Sequence, residues 1–197
     1  KKTDEEPRKS KVKPGELYKL GEHRLLCGDS TDLKHVEILL GGIKADVIYS
    51  DMPYNIGLDY DKGFGKESKY GGHTDDSKSE SEYSTFVHKT LSNAFANTKK
   101  DAHFFWYCDE NYIWLVQTAY KELGIIPKRV CIWVKNSANP TSQVAFNKSF
   151  EMCVYGTRGN PDLNALYNLN GIMNQEVTTG NASAEQLENI TSLWVEK

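Results

Sequence analysis

The chain has 197 residues, of which 39% are hydrophobic, 11% aromatic and 26% charged, and its formal net charge is -3 at pH 7. The composition is that of a globular protein, and the length predicts a single domain with its own core. No run approaches the roughly 18 consecutive apolar residues that a membrane helix requires, and no segment has the pattern of a signal peptide, so we expect a cytoplasmic protein with no membrane partner. The net charge does not indicate nucleic-acid binding, for which a basic face is typical.

The N-terminal stretch differs from the rest of the chain. Residues 1–13 hold six basic and three acidic side chains, and Pro7 and Pro14 interrupt this polar run. We interpret residues 1–14 as a basic linker or arm. Because the chain begins with Lys1 rather than Met, we expect it to be a piece of a longer polypeptide or a trimmed form of one.

The hydrophobic pattern along the first half of the chain alternates between strand and helix. A strand is predicted at residues 23–28, followed by a helix that Ser30 or Thr31 caps and that Gly41 ends. Residues 45–49 have the apolar run of a buried parallel strand. The polar stretch at residues 51–79 is predicted as a long loop, and loops of this length are usually functional or disordered.

The second half continues the alternation. The predicted elements are a helix from about residue 79 to 95, a strand at 102–107, a helix at 110–123 and strands at 126–135 and 150–155, the last two joined through a turn that begins at 136–140. Strands separated by helices predict an α/β fold with a Rossmann-like, mainly parallel sheet. The last two strands lack room for a crossover helix and are predicted to be antiparallel.

Two aspartates directly follow the first two predicted strands. Ligands of such sheets bind beyond the carboxyl ends of the strands, so Asp29 and Asp51 are candidate site residues. Asp51 begins the tetrapeptide Asp51-Met52-Pro53-Tyr54, here called the 51–54 motif. A tight turn after a strand would explain the same residue types, since Asp and Pro both form turns.

The 51–54 motif also suits one particular chemistry. An exocyclic amino nitrogen of adenine or cytosine is a poor nucleophile, because its lone pair is delocalised into the ring. The Asp51 carboxylate can accept one of its hydrogens, and the carbonyl of Met52 or Pro53 can accept the other, so that the lone pair points at a methyl donor. Tyr54 can stack on a base that is flipped out of the duplex.

At these residues the chain resembles the DNA adenine-N6 and cytosine-N4 amino-methyltransferases, whose motif is Asp-Pro-Pro-Tyr. The segments that carry the resemblance outside the motif are residues 21–30, 44–50, 131–136 and 151–156. The resemblance covers about residues 15–160, which we interpret as the catalytic portion. It implies S-adenosylmethionine as cofactor, double-stranded DNA as partner, base flipping and DNA methylation, as in restriction-modification enzymes.

The order of segments resembles the permuted arrangement of this family, in which the catalytic half precedes the cofactor-binding half. Members with a similar upstream sequence often carry a ParB-like domain in front. Two features depart from the family: Met52 replaces the first proline, and the Phe-x-Gly-x-Gly cofactor loop is absent, so the fold is expected to be incomplete at the C-terminus. We therefore expect this chain to bind S-adenosylmethionine weakly or not at all.

Other residues are candidates for smaller roles. By resemblance Asp29 would contact the cofactor, although a residue that stabilises a helix N-terminus is an alternative. Asn55 could line the base pocket or form a turn, and Lys135 and Lys148 could meet DNA phosphates or be ordinary surface lysines. Residues 161–197 are interpreted as an irregular connection or a target-recognition segment.

The cysteines give no sign of a metal site. They show no C-x-x-C spacing and form no ligand set with the histidines, so we expect no metal and reduced, buried thiols. The cysteines are Cys27, Cys108, Cys131 and Cys153.

Two other functions compete with DNA methylation by this chain. Enzymes of the same fold that methylate protein glutamine or RNA usually open the tetrapeptide with Asn, so Asp51 favours DNA. A catalytically silent DNA-binding remnant, or half of a split enzyme, is consistent with Met52 and the missing cofactor loop. Adenine and cytosine both remain open as targets, and the sequence specifies no oligomeric state.

Overall fold

The computed structural model describes residues 12–57, 75–139, 148–163 and 171–173. Within these ranges the strands are β1 (Leu17–Leu20), β2 (His23–Leu26), β3 (Ala45–Asp51), β4 (Thr98–Cys108), β5 (Ile126–Asn139), β6 (Lys148–Arg158) and β7 (Ile172–Met173), and the helices are α1 (Leu33–Leu40), α2 (Glu80–Ala96) and α3 (Ile113–Leu123). Most of the predicted N-terminal arm, residues 58–74 of the predicted loop and most of the predicted C-terminal segment lie outside the described residues.

The larger sheet has the strand order β3-β4-β6-β5-β7. β3 and β4 are parallel, β5 and β7 are parallel, and β6 is antiparallel to both of its neighbours, β4 and β5. Four of these five strands therefore run in one direction. The predicted α/β fold with a mainly parallel sheet is confirmed, as is the antiparallel pairing of β5 with β6.

Helices α2 and α3 pack on one face of this sheet. The core combines Val87 and Leu91 of α2 and Val116 of α3 with Phe104 and other residues of β4 and β6. Both helices have the ends that their sequences favour: α2 begins with a Ser79–Glu82 capping box, and α3 ends at Gly124 in the left-handed conformation. A short 3-10 turn, Glu110–Tyr112, precedes α3.

The strand predicted at residues 23–28 is not part of the larger sheet. It forms β2, which pairs with β1 as an antiparallel hairpin in a separate two-stranded sheet. Three of the four residues of β2 are exposed, so this strand lacks the two apolar faces that a central parallel strand needs. The prediction that Asp29 follows the first strand of the parallel sheet is therefore wrong.

Two predicted element ends also differ from the structure. Asp32, rather than Ser30 or Thr31, caps α1 by accepting a hydrogen bond from the Lys34 backbone N–H, because a carboxylate one residue before the helix reaches that donor. Residues 136–139 continue β5 instead of forming a turn. The predicted end of α1 at Gly41, with φ of 59°, is confirmed.

Candidate active site

The 51–54 motif begins on the last residue of β3, where the strand leaves the carboxyl edge of the sheet. In the parallel register Asp51 lies opposite Tyr107 of β4, and Ser50 lies opposite Trp106. Successive side chains of an extended chain point to opposite faces. Asp51 is accordingly exposed, whereas Met52 is buried, with 6% of its surface accessible. The alternation separates a carboxylate that a ligand can reach from an apolar side chain that anchors the loop.

Tyr54 bonds back to the carboxylate that opens the motif. Its hydroxyl donates to Asp51 Oδ1 over 2.9 Å. Burial raises the pKa of Tyr54 far above that of an ordinary tyrosine, and the nearby Asp51 and Glu151 carboxylates act in the same direction. The hydroxyl therefore keeps its proton at neutral pH and acts as a donor that orients Asp51.

The Met52 side chain is held by the sheet beneath the loop. The indole Nε1–H of Trp106 donates to the thioether Sδ of Met52 over 3.0 Å, and the bond is buried. Trp106 itself is 1% exposed. Met52 is thus one of the residues of the hydrophobic core, although it belongs to a loop.

The next peptide group is held by helix α2. The Tyr83 hydroxyl donates to the Pro53 carbonyl over 2.8 Å. The Tyr83 ring is buried and packs against the Tyr112 ring, with centroids 4.6 Å apart. A hydrogen bond from a buried aromatic side chain fixes both the position and the direction of this carbonyl.

Asn55 joins the two described ends of the loop that follows the motif. Its side chain donates to the Lys78 carbonyl and the Tyr112 hydroxyl, each over 3.0 Å, and accepts from the Lys78 backbone N–H over 2.7 Å. The buried Asp76 carboxylate accepts from the backbone N–H groups of Asn55 and Ile56. Asn55 has φ of 57°, a conformation that Asn tolerates better than most residues. Asn55 and Asp76 thus join the residues after the motif to those before α2, and we call this set of hydrogen bonds the Asn55–Asp76 clasp.

Asp29 lies at a different part of the fold. Its Oδ1 accepts from the backbone N–H and the hydroxyl of Thr31, and these bonds hold the pKa of Asp29 below its usual value. The adjacent Ser30 carbonyl accepts from Asn93, which lies ten residues beyond Tyr83 in α2. Ten helical residues span about 15 Å along the axis, so the segments that contain Asp29 and Asp51 bond to α2 near opposite ends of the helix, through Ser30 and Pro53.

The two lysines predicted to meet DNA are both paired with carboxylates. Lys135 forms a salt bridge with Glu151 and lies over the Trp133 ring, 4.9 Å from its centroid. Lys148 bonds to Asp109 Oδ2 over 2.7 Å and also to Glu110. These pairs hold the turn after β4 and the adjacent strands together, and a phosphate contact at either lysine stays a prediction.

Several residues of the site were not predicted as functional. The apolar spacing predicts a helix at Tyr83 and a strand at Trp106 but indicates no functional role for either, and no motif marks Asp76 or Tyr112. The only sequence signal for them is general: buried Tyr and Trp side chains usually find a hydrogen-bond partner for their polar atom. The pattern does not specify which partner.

The described residues contain no arrangement of three or more His, Cys, Asp or Glu side chains that could hold a metal ion. Of the four free cysteines, Cys108 and Cys153 are buried, whereas Cys27 and Cys131 are half-buried, so the prediction of buried thiols is right for two of them. Burial raises the pKa of Cys108 to about 12. In the described part of the chain, no helix has the length and apolar character needed to cross a membrane.

Comparison with known proteins identifies the family. The family described as DNA methylase matches residues 45–196, which include the 51–54 motif and all strands of the larger sheet. Two solved structures are similar: the crystal structure of M1.HpyAVI, at 14% identity and a TM-score of 0.43 over 66% of this chain and 54% of that one, and the crystal structure of the M1.HpyAVI-SAM complex, at 13% identity and a TM-score of 0.48 over 72% of this chain and 60% of that one.

The chain thus spans between half and two thirds of the length of these two structures. No curated protein matches it significantly. The family match extends over well more than half of the sequence and contains the predicted catalytic motif. The chain belongs to the N6/N4 DNA methylase family.

Proposed function

We propose that the chain carries the base-methylating half of an enzyme that transfers a methyl group from S-adenosylmethionine to the exocyclic amino group of adenine (N6) or cytosine (N4) in DNA. One observation carries this proposal: the exposed Asp51 carboxylate lies at the carboxyl end of β3 and is followed by residues that hydrogen bonds hold in place. Met52, Pro53 and Asn55 each bond to a buried side chain. Such an acceptor keeps its geometry while a base approaches, which is what an orientation-dependent reaction requires.

The loop contacts support one choice of the two acceptors for the amino group. The Pro53 carbonyl already accepts from Tyr83. Within the described residues no hydrogen bond engages the Met52 carbonyl. The Met52 carbonyl is therefore the favoured second acceptor, and Asp51 is the first. Together they would hold the amino nitrogen in a tetrahedral geometry, with its lone pair directed away from the ring.

Asp51 and Asp29 are the two candidate residues for contact with the methyl donor. The donor's positively charged sulfonium suits the exposed Asp51 carboxylate, which has Tyr54 beside it. Asp29, whose neighbour Ser30 bonds to Asn93 near the other end of α2, would contact a different part of the donor. When bound beside Asp51, S-adenosylmethionine would supply the methyl group that the amino nitrogen takes up. Asp51 then accepts the surplus proton of the methylated nitrogen and releases it to solvent.

The DNA base would reach this loop only after flipping out of the duplex. Tyr54 is half-buried and its hydroxyl is held by Asp51, so its ring is a fixed surface for stacking. Stacking of a base on an aromatic side chain contributes roughly 1–3 kcal/mol. Lys135 and Lys148 would contact phosphates by exchanging their carboxylate partners for the DNA backbone.

The substrate class can be tested by methyl transfer in solution. The protein encoded by the complete gene is incubated with radiolabelled S-adenosylmethionine in three separate reactions. The acceptor is duplex DNA in the first, RNA in the second and a glutamine-containing protein in the third. We expect label on DNA alone and no transfer by the Asp51→Ala variant, which should still fold because Asp51 is exposed. Transfer to RNA or protein, or retained transfer by Asp51→Ala, would contradict the proposal, and DNA binding without transfer would favour the silent remnant.

A further inference from the structure

The side chain of Met52 has an unusual place for a residue of a catalytic loop. It is buried in the core, and its sulfur accepts a hydrogen bond from the Trp106 indole over 3.0 Å. A thioether is a weak acceptor, and a buried indole N–H without a partner would be unfavourable. The pair therefore satisfies a polar group at the point where the loop leaves the sheet.

This bond has a direct geometric effect on the reacting edge of the loop. The Met52 carbonyl, which the proposed function uses as an acceptor, is attached to the same α-carbon as the anchored side chain. Trp106 lies on β4 in register with Ser50, two residues before Met52, so the anchor is part of the rigid sheet. On the other side, the Tyr83–Pro53 bond fixes the next carbonyl. The peptide between residues 52 and 53 is thus held from both ends.

We propose that Trp106 is a positioning residue for methyl transfer and acts through the sulfur of Met52. The indole–thioether bond supplies the stiffness of the loop at position 52 that a proline ring would otherwise give. This inference rests on the proposed function. It extends that function by assigning a role to a buried strand residue that would not touch the base or the methyl donor.

Ordinary core packing is the alternative explanation of the Met52–Trp106 contact, and the two explanations differ in a measurable way. Met52→Leu keeps the size and apolar character of the side chain but removes the sulfur acceptor, and volume-conserving exchanges of this kind are usually well tolerated in cores. Trp106→Phe removes the indole N–H and leaves an aromatic ring. If the bond positions the loop, either variant breaks the same bond, and the double variant adds little further loss.

The test is a double-mutant cycle, in which kcat and KM are measured for the protein encoded by the complete gene. We expect Met52→Leu and Trp106→Phe each to lower kcat about tenfold with little change in KM for DNA, since small misplacements of reacting groups have effects of this order. The double variant should be no slower than the slower single variant. Trp114→Phe, on the exposed face of α3, is the matched control and should leave kcat unchanged. An unchanged kcat, additive losses, or a raised KM alone would overturn the inference.

A second measurement keeps failure of this inference distinct from failure of the proposed function. The Nε1–H resonance of Trp106 in a two-dimensional nitrogen–proton correlation NMR spectrum reports the bond to Met52 and does not depend on enzymatic activity. We expect it to shift and to exchange faster with solvent in Met52→Leu, whereas an unchanged resonance shows that the anchor is absent and overturns the inference. If the wild-type protein transfers no methyl group to DNA, the proposed function and the positioning role both fail, whatever the resonance shows.

Discussion

The hydroxyl of Tyr83 and the carbonyl of Pro53 are joined by a hydrogen bond of 2.8 Å across 30 residues of sequence. Tyr83 lies in the first turn or so of α2, just after the Ser79–Glu82 capping box that fixes the start of the helix. The conformation of the 51–54 motif therefore depends on where α2 begins. A loop that follows β3 is held by an element that precedes β4.

Removal of this hydroxyl should affect catalysis more than stability. Tyr83→Phe loses one buried hydrogen bond, so we expect the free energy of unfolding to fall by about 1 kcal/mol. Because Pro53 is then free to shift, methyl transfer should fall several-fold. Tyr120→Phe is the matched control, since its hydroxyl donates to the Val154 carbonyl over 3.0 Å, away from the loop. Denaturant unfolding and initial rates check both variants, and equal losses of activity would contradict the prediction.

The Asp76 carboxylate should be needed to keep the Asn55–Asp76 clasp formed. Asp76→Ala leaves the backbone N–H groups of Asn55 and Ile56 without their acceptor, which should destabilise the protein by about 1–3 kcal/mol. Asp75→Ala, one residue earlier and exposed, should have a much smaller effect, because its contacts with Ser77 and Lys78 are open to solvent. Denaturant titration measures the difference, and a larger loss for Asp75→Ala would show that Asp76 does not hold the loop.

The pair of Lys148 and Asp109 should make stability depend on acid pH. Burial acts to raise the pKa of Asp109, but hydrogen bonds from Lys148 and Asn111 hold it below its usual value. A carboxyl group of this kind stabilises the fold above its unfolded pKa of about 3.9, and this contribution is lost as the pH falls through the folded pKa.

Lys148→Met should therefore lower stability at neutral pH and weaken its fall between about pH 5 and pH 2. Lys99→Met is the control, because Lys99 and Asp46 form an exposed pair whose contribution should be between about 0 and 1 kcal/mol. Urea unfolding at a series of pH values gives both slopes. A Lys148→Met variant with the wild-type pH dependence would contradict the role assigned to this pair.

Much of the fold follows from local signals in the sequence. The apolar spacing of α2 and α3, and Gly41 and Gly124 at the ends of two helices, predict elements that the structure confirms. The position of Asp51 at the end of a parallel strand could also be predicted, since a short apolar run before a Pro-containing turn is itself a local pattern.

Other features depend on contacts that the sequence pattern does not specify. The β1–β2 hairpin is short and largely exposed, so it leaves no strong alternation, and β7 has only two residues. The bond between Met52 and Trp106 joins residues 54 positions apart. In the sequence Met52 is only a departure from the proline of the family motif, whereas in the structure its side chain anchors the loop.

The most direct test is the detection of methylated bases in DNA. The complete gene is expressed in a host that lacks N6-methyladenine and N4-methylcytosine, and the nucleosides of its DNA are measured by mass spectrometry. We expect one of these two bases to accumulate with the wild-type protein and to be absent with equal amounts of folded Asp51→Ala protein. The appearance of neither base with the wild type, or of the same base with Asp51→Ala, would contradict the assignment of Asp51 as the residue that binds the amino group.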